Sequence, residues 1–153
     1  MGNHPTPRPS MSPDPIQKLH KTEAEWRALL TPAQFRVLRG EGTEVCGTHP
    51  FNHEKRAGSF VCAGCFLPLF VSDSKFESGT GWPSFYEPLP GRLETKVDHH
   101  IGYPRTEYHC ARCGGHQGHV FEDGPRPTGL RYCNNGEALL FVPAGEPLPE
   151  LRN

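Results

Sequence analysis

Residues 62–65 read Cys-Ala-Gly-Cys and residues 110–113 read Cys-Ala-Arg-Cys, and these two motifs decide how the chain is expected to fold. Two residues between a pair of cysteines allow both thiolates to bind one tetrahedral ion, and four thiolates complete its coordination shell. Residues 66–109 separate the motifs, so a shared ion would join two distant hairpins of one domain. We therefore predict one structural Zn²⁺ per chain, bound by Cys62, Cys65, Cys110 and Cys113.

The alternative for either motif is a redox-active Cys-x-x-Cys of the thioredoxin type. Such a motif occurs once in a chain, near a βαβ pattern that this sequence does not show. A framework of disulfides would need a secretory route, and the first residues lack the apolar run of a signal peptide. We expect a cytoplasmic location, where cysteine pairs bind metal more often than they form disulfides.

The composition of the 153-residue chain fits one catalytic domain, predicted over residues 18–153, behind a disordered proline-rich arm at residues 1–17. Glycine and proline each number 17, which indicates short elements and many turns rather than a helical bundle. The net charge of −1 argues against a nucleic-acid partner or a membrane surface held by bulk electrostatics.

The pattern of the chain predicts two short helices and then an all-β region with long loops. Thr22 with Glu25 forms a capping box, and Thr31-Pro32 starts a second helix that stops at Gly40. Residues 79–84 are expected to form a loop, because two glycines and a proline crowd them. The predicted strands are residues 59–62, 67–71, 93–97, 107–110, 118–121, 130–133 and 139–142.

Cys46 and Cys133 remain once the predicted zinc ligands are set aside. Cys133 lies in Gly-Leu-Arg-Tyr-Cys-Asn-Asn (residues 129–135), where a strand would turn Arg131, Cys133 and Asn135 to one face. A guanidinium beside the sulfur would favour the thiolate, which is the nucleophilic form of cysteine. Taken alone, a single cysteine is equally well explained as a small buried core residue.

Two histidines and a tryptophan suggest what a reactive cysteine would work with. His116 and His119, with Asp123 close behind, can supply a proton to a reacting group, although they also fit an incomplete metal site or an exposed surface. Trp82 lies in a stiff Gly-Trp-Pro-Ser segment. It is either a core residue or a flat apolar wall for a methyl or thioether group.

Together these motifs resemble those of the methionine-R-sulfoxide reductase family, the B-type enzymes (MsrB). The matching segments follow the family's order and span about residues 25–143. They are GTE (42–44), CAGC (62–65), PLF (68–70), KFESGTGWPSF (75–85), RTE (105–107), CARCGGHQGHVFEDGP (110–125) and GLRYCNN (129–135). No single segment is specific, but the ordered set is.

The resemblance implies a mainly β, MsrB/Mss4-like fold of two antiparallel sheets with short N-terminal helices and a Cys₄ zinc site. It also implies an enzyme that reduces methionine sulfoxide of R configuration, free or in proteins, with thioredoxin as the reductant. We expect the protein to be a monomer. Cys133 matches the catalytic nucleophile. The residues that match the surrounding active site, or are expected to contact substrate, are Trp82, His116, His119, Phe121, Asp123, Arg131 and Asn135.

In the implied reaction the Cys133 thiolate attacks the sulfoxide sulfur while His119 and His116 deliver a proton to the oxygen. Asp123 is expected to orient the two histidines, and Trp82 to hold the S-methyl group. Cys133 becomes a sulfenic acid, which condenses with a second thiol.

The chain departs from the family pattern at the position of that second thiol. Many relatives read SGCGWPSF, with a resolving cysteine where this chain has Thr80. Cys46 is then the remaining partner, and we expect a Cys46–Cys133 disulfide that thioredoxin reduces. A second departure is Asn134, where relatives usually have an aliphatic residue.

Two other functions fit parts of the sequence. A zinc-stapled binding module would use Cys133 only as a core residue, but it should show a basic or aromatic face, whereas 16 basic and 17 acidic residues balance. A different thiol enzyme, such as a peroxide reductase, would leave Trp82 without a role.

Overall fold

The computed structural model describes residues 16–44, 47, 49–99 and 102–153. Residues 1–15 of the predicted arm and the predicted resolving residue Cys46 lie outside this set. Within the described residues, none of the helices has the length and apolar character needed to cross a membrane.

Two helices precede the strands, as predicted: α1 (Glu23–Leu29) and α2 (Pro32–Leu38). Each begins with a capping box, formed by Thr22 with Glu25 and by Thr31 with Gln34. The threonine side chain accepts a hydrogen bond from the backbone N–H three residues later, and the threonine N–H donates to the side chain of that residue. These boxes satisfy backbone N–H groups that a helix start leaves without partners.

The described residues contain nine strands. They are β1 (Gly58–Cys62), β2 (Pro68–Val71), β3 (Lys75–Phe76), β4 (Ser84–Phe85), β5 (Leu93–Asp98), β6 (Arg105–Cys110), β7 (His116–Phe121), β8 (Arg131–Asn134) and β9 (Leu139–Pro143). One sheet has the order β2-β1-β9 and the other β3-β4-β8-β7-β6-β5. All pairs are antiparallel, which confirms the predicted mainly β fold of two antiparallel sheets.

Every run predicted as a strand forms one, with small differences at the ends. Sequence patterns missed β3 and β4, because strands of two residues are too short to show alternation. The predicted loop at residues 79–84 therefore ends one residue early, since Ser84 pairs with Cys133 in the larger sheet.

The core between the sheets is aromatic. Phe60 and Phe70 from the smaller sheet meet Phe85 from the larger one, with the rings of Phe70 and Phe85 stacked at 4.1 Å. Tyr108 and Tyr132 pack edge to face beside them, with ring centroids 5.3 Å apart. Because side chains alternate along a strand, the residues between these aromatics point to the other face of the larger sheet.

Candidate active site and metal centre

The face of the larger sheet that is turned away from the aromatic core carries a row of chemically active side chains. In the strand registers, Glu107 lies opposite His119, and His119 lies opposite Cys133. Directly paired residues in antiparallel strands have Cα atoms about 4.5–5.5 Å apart. The fold therefore brings Cys133 and His119 together, although thirteen residues lie between them in the sequence.

A β-bulge explains how His116 and His119 come together, since residues three apart in a regular strand point to opposite faces. Tyr108 pairs with Gly118, but His109 pairs with His116, so Gln117 is an extra residue on β7. The bulge leaves the two imidazole rings in edge-to-face contact, with centroids 5.6 Å apart.

Cys133 and His119 line a cleft of about 230 Å³. Predicted site residues Trp82, Phe121, Arg131 and Asn135 also line it, together with Thr43, Thr80, Arg105, Gly118 and Asn134. The opening thus combines two aromatic walls with a thiol, an imidazole and two guanidinium groups. Such a half-apolar cleft with converging polar groups fits a small apolar group that carries one polar atom.

His116 lies behind this cleft. Its side chain is only 4% exposed, and its Nδ1 atom contacts Glu107 Oε1 at 3.2 Å. Burial lowers the pKa of His116, and the Glu107 carboxylate opposes this effect. Among the described residues its Nε2 atom has no hydrogen-bond partner. His116 contacts His119 but does not itself line the cleft.

The electrostatics at Cys133 differ from the sequence expectation. Burial raises the pKa of its thiol above the usual value, while Arg131 and a hydrogen bond from Thr80 act in the opposite direction. Arg131 therefore favours the thiolate, as expected, but burial has the larger effect. Burial therefore opposes the expected stabilisation of the thiolate by Arg131, because the half-buried sulfur is poorly solvated.

Asp123 is placed differently from its expected role as the residue that orients the histidines. Its carboxylate forms a two-bond pair with Arg131, at 2.9 Å to Nε and 3.1 Å to Nη2. The Arg131 guanidinium also lies over the Phe121 ring, 4.4 Å from its centroid. Asp123 thus fixes the cation that acts on Cys133, because it lies two residues beyond the end of β7 and bonds to Arg131 at the start of β8.

The carboxylate that contacts His119 belongs to Asp98, a residue that the sequence reasoning gave no role. Its Oδ2 atom lies 2.8 Å from His119 Nε2 and 3.1 Å from Arg105 Nη2. Asp98 and Arg105 pair directly at the ends of β5 and β6. Charged residues occupy every second position along β5, at Glu94, Lys96 and Asp98, so their side chains lie on one face of the sheet. This alternation was the sequence signal that could have pointed to Asp98.

Asn135 and Trp82 are tied to the segment around Glu44. Asn135 accepts a hydrogen bond from the Glu44 backbone N–H at 2.9 Å and donates to the Gln117 carbonyl at 3.0 Å. The indole Nε1 of Trp82 donates to the Glu44 carbonyl at 3.1 Å. Asn135 therefore lines the cleft as predicted, but its amide fixes the backbone beside the cysteine.

The four paired cysteines lie together where β1 and β6 end, and they form a candidate metal site. Their sulfur atoms all lie within 4.8 Å of one another, with Cys62–Cys113 and Cys65–Cys110 both at 3.6 Å. Tetrahedral zinc with Zn–S bonds of about 2.3 Å would need sulfurs roughly 3.8 Å apart. The cluster, buried and close to this spacing, could hold a metal ion as predicted.

The surroundings of the cluster suit thiolates. Backbone N–H groups of Gly64, Arg112 and Gly115 each point at a cysteine sulfur at 3.4 Å. The residue after each motif adopts a left-handed backbone, with φ of 71° at Phe66 and 76° at Gly114. Phe66 is strained there by about 1–2 kcal/mol, a cost that metal binding exceeds several-fold.

A cysteine and a histidine that pair across strands in an aromatic cleft are groups that thiol-based enzymes use, and a binding module would not require them. The model of the SelR domain matches residues 30–143. The chain belongs to this SelR-domain family.

Curated relatives match the chain over most of their length. A protein named peptide methionine sulfoxide reductase MsrB from Pseudomonas putida (strain W619) is 54% identical over 130 residues, covering 84% of this chain and 97% of the relative. Proteins of the same name from Agrobacterium fabrum and Methanosarcina mazei are 51% and 49% identical, covering 82% of this chain in each case and 94% and 90% of the relatives. The resemblance found in the motifs is confirmed.

Proposed function

We propose that the chain reduces R-methionine sulfoxide, in proteins or free, through a sulfenic acid on Cys133. The observation that carries the proposal is the direct pairing of Cys133 with His119 inside a cleft walled by Trp82 and Phe121. The aromatic rings suit an S-methyl group, and the thiol and imidazole suit the sulfoxide sulfur and oxygen.

The reaction balances as an oxygen transfer. The Cys133 thiolate attacks the sulfoxide sulfur, the oxygen takes one proton from the His119 imidazolium, and the oxygen is transferred as methionine leaves. The products are methionine and Cys133 sulfenic acid. Because burial raises the pKa of the Cys133 thiol, Arg131 and Thr80 would stabilise the thiolate during attack.

Cys46 is proposed as the resolving residue, which condenses with the sulfenic acid and releases water. Two described neighbours support this proposal: Glu44 accepts a bond from Trp82, and the Gly47 N–H donates to the Gly81 carbonyl at 2.7 Å. Both flanks of Cys46 are therefore attached to the segment that borders the cleft. A thioredoxin dithiol would reduce the disulfide by exchange.

We propose zinc as the metal bound by the four paired cysteines. Four thiolates leave no open position, so bound zinc supplies folding stability rather than chemistry. Cytoplasmic location and a monomeric state stay predictions from the sequence.

The test compares reduction of R- and S-methionine sulfoxide, with dithiothreitol and with thioredoxin, by wild type, Cys133→Ser and Cys46→Ser. We expect activity on the R epimer alone and its loss in Cys133→Ser. Cys46→Ser should keep turnover with dithiothreitol and lose most turnover with thioredoxin. Activity that survives in Cys133→Ser refutes the mechanism, and equal effects of Cys46→Ser with both reductants refute the resolving role.

A matched gain-of-function variant makes the resolving test sharper. The Thr80 side chain hydrogen-bonds to Cys133, at the position where many relatives are expected to carry their resolving cysteine. Thr80→Cys in the Cys46→Ser background should therefore restore turnover with thioredoxin, whereas Ser78→Cys should not. If neither restores it, the cleft is not accessible to thioredoxin as proposed.

A further inference from the structure

The cleft contains two carboxylate–guanidinium pairs that serve different residues. Asp123 binds Arg131, which acts on Cys133. Asp98 binds Arg105 and also contacts His119, with both groups on the same oxygen, Oδ2. The first pair therefore controls the nucleophile, and the second controls the imidazole.

The two pairs also differ in burial. The side chain of Asp98 is 4% exposed and that of His119 is 12% exposed, whereas that of Asp123 is 64% exposed. Solvent weakens charge interactions at an exposed carboxylate, and a buried carboxylate acts more strongly on its neighbour. Asp98 is thus well placed to determine the state of the ring that it contacts.

Extending the function proposed above, we propose that Asp98 is the positioning residue of the proton donor. Its carboxylate accepts the Nε2–H of His119 and so leaves Nδ1 as the ring nitrogen for the cleft. Arg105 fixes the carboxylate in this orientation from the neighbouring strand.

Among the residues that the structure describes, the titratable groups opposite His119 in the sheet have other contacts or another proposed role. Glu107 lies opposite it on β6, but its carboxylate contacts His116 at 3.2 Å and Lys96 at 3.9 Å. Cys133, opposite on β8, is the proposed nucleophile. His116 contacts the ring edge to face and contributes no acceptor bond to it. Asp98 is therefore the carboxylate that sets the tautomer.

This arrangement returns His119 to its starting state after each reaction. The imidazolium carries protons on both nitrogens, and a carboxylate at Nε2 stabilises that cation. When Nδ1 gives its proton to the sulfoxide oxygen, the neutral ring keeps Nε2–H on Asp98. The ring gains its next proton at Nδ1 without having to rotate.

The test measures the tautomer of His119 by ¹⁵N NMR and the single-turnover rate of sulfenic acid formation in full-length, metal-loaded protein. We expect the Nε2–H tautomer in wild type and its loss in Asp98→Ala, with a rate lower by about tenfold or more. Asp98→Asn keeps an acceptor without the charge, so it should keep the tautomer and show an intermediate rate. Asp123→Asn is the matched control and should leave the tautomer signal unchanged.

An Nδ1–H tautomer in wild type overturns the assignment without any variant. So does an Asp98→Ala protein that keeps the wild-type tautomer signal. A rate within about twofold of wild type in Asp98→Ala overturns the part that Asp98 plays in proton donation. If wild type reduces no methionine sulfoxide, the proposed function fails, and the NMR measurement still decides the assignment of Asp98.

Discussion

Replacing Asn134 by leucine should destabilise the fold, although relatives are expected to have an aliphatic residue there. Asn134 is fully buried. It accepts the Tyr108 hydroxyl at 2.8 Å and donates to Gln117 Oε1 at 3.1 Å. Asn134→Leu removes a partner from two buried polar groups, and each such loss costs about 1–3 kcal/mol. The expected loss is therefore about 2–6 kcal/mol before any gain from the added apolar surface.

A double-mutant cycle isolates this interaction. Burial raises the pKa of Tyr108 well above its usual range, so the phenol stays a neutral donor and needs its acceptor. Tyr108→Phe removes that need, and we expect the double variant to be more stable than additivity predicts by about 1–3 kcal/mol. Guanidinium unfolding of metal-loaded protein measures the free energy of unfolding of wild type, both single variants and the double variant. Additive effects within about 0.5 kcal/mol would refute the interaction between Asn134 and Tyr108. Tyr86→Phe, which removes an exposed hydroxyl, is the control and should change stability by at most about 0.5 kcal/mol.

Three further predictions concern the thiol and the metal. Because burial raises the pKa of Cys133 and Arg131 opposes it, alkylation of Cys133 should increase with pH, and Arg131→Met should move that increase to higher pH. Mass spectrometry of the Cys133 peptide measures this, and an unchanged profile contradicts it. Cys65→Ser should lose bound zinc and cooperative unfolding. Binding of structural zinc contributes about 10–16 kcal/mol, whereas the whole free energy of unfolding of a domain is only about 5–15 kcal/mol. Cys133→Ser, the control, should keep both the zinc and the cooperative transition. Arg152 donates to the Gly64 carbonyl in the first motif at 2.6 Å and so holds that motif in place. Arg152→Ala should therefore speed metal transfer to a chelator by about tenfold. An unchanged rate would show that Arg152 does not hold the metal-binding motif.

The sequence predicted the elements whose pattern is local and the residues whose chemistry is distinctive. The cysteine spacing predicted the metal cluster, and alternation predicted the longer strands. Asp98 was missed because its contact with His119 depends on the register of β5, β6 and β7, which no short segment contains. Asp123 was assigned to the histidines because it is near them in sequence. The pairing of adjacent strands instead brings its carboxylate to Arg131.

The same reasoning explains why the sequence did not reveal the effect of burial on the pKa of Cys133. The neighbours of Cys133 in sequence revealed Arg131, whose effect is as expected. Its burial comes from β4 and from the Thr80–Trp82 segment, which fold over it from elsewhere in the chain. Desolvation is a property of the assembled cleft and has no signature in seven residues.

The aromatic core has a consequence for a protein whose proposed substrate is made by oxidants. The chain has two methionines, at positions 1 and 11, so the packing between the two sheets uses Phe60, Phe70, Phe85 and tyrosines without any thioether. Oxidation of a buried methionine would place a polar sulfoxide in the interior and loosen it. Methionine oxidation therefore cannot disrupt the core of the described fold, and this core does not depend on another copy of the protein to reduce a methionine sulfoxide within it.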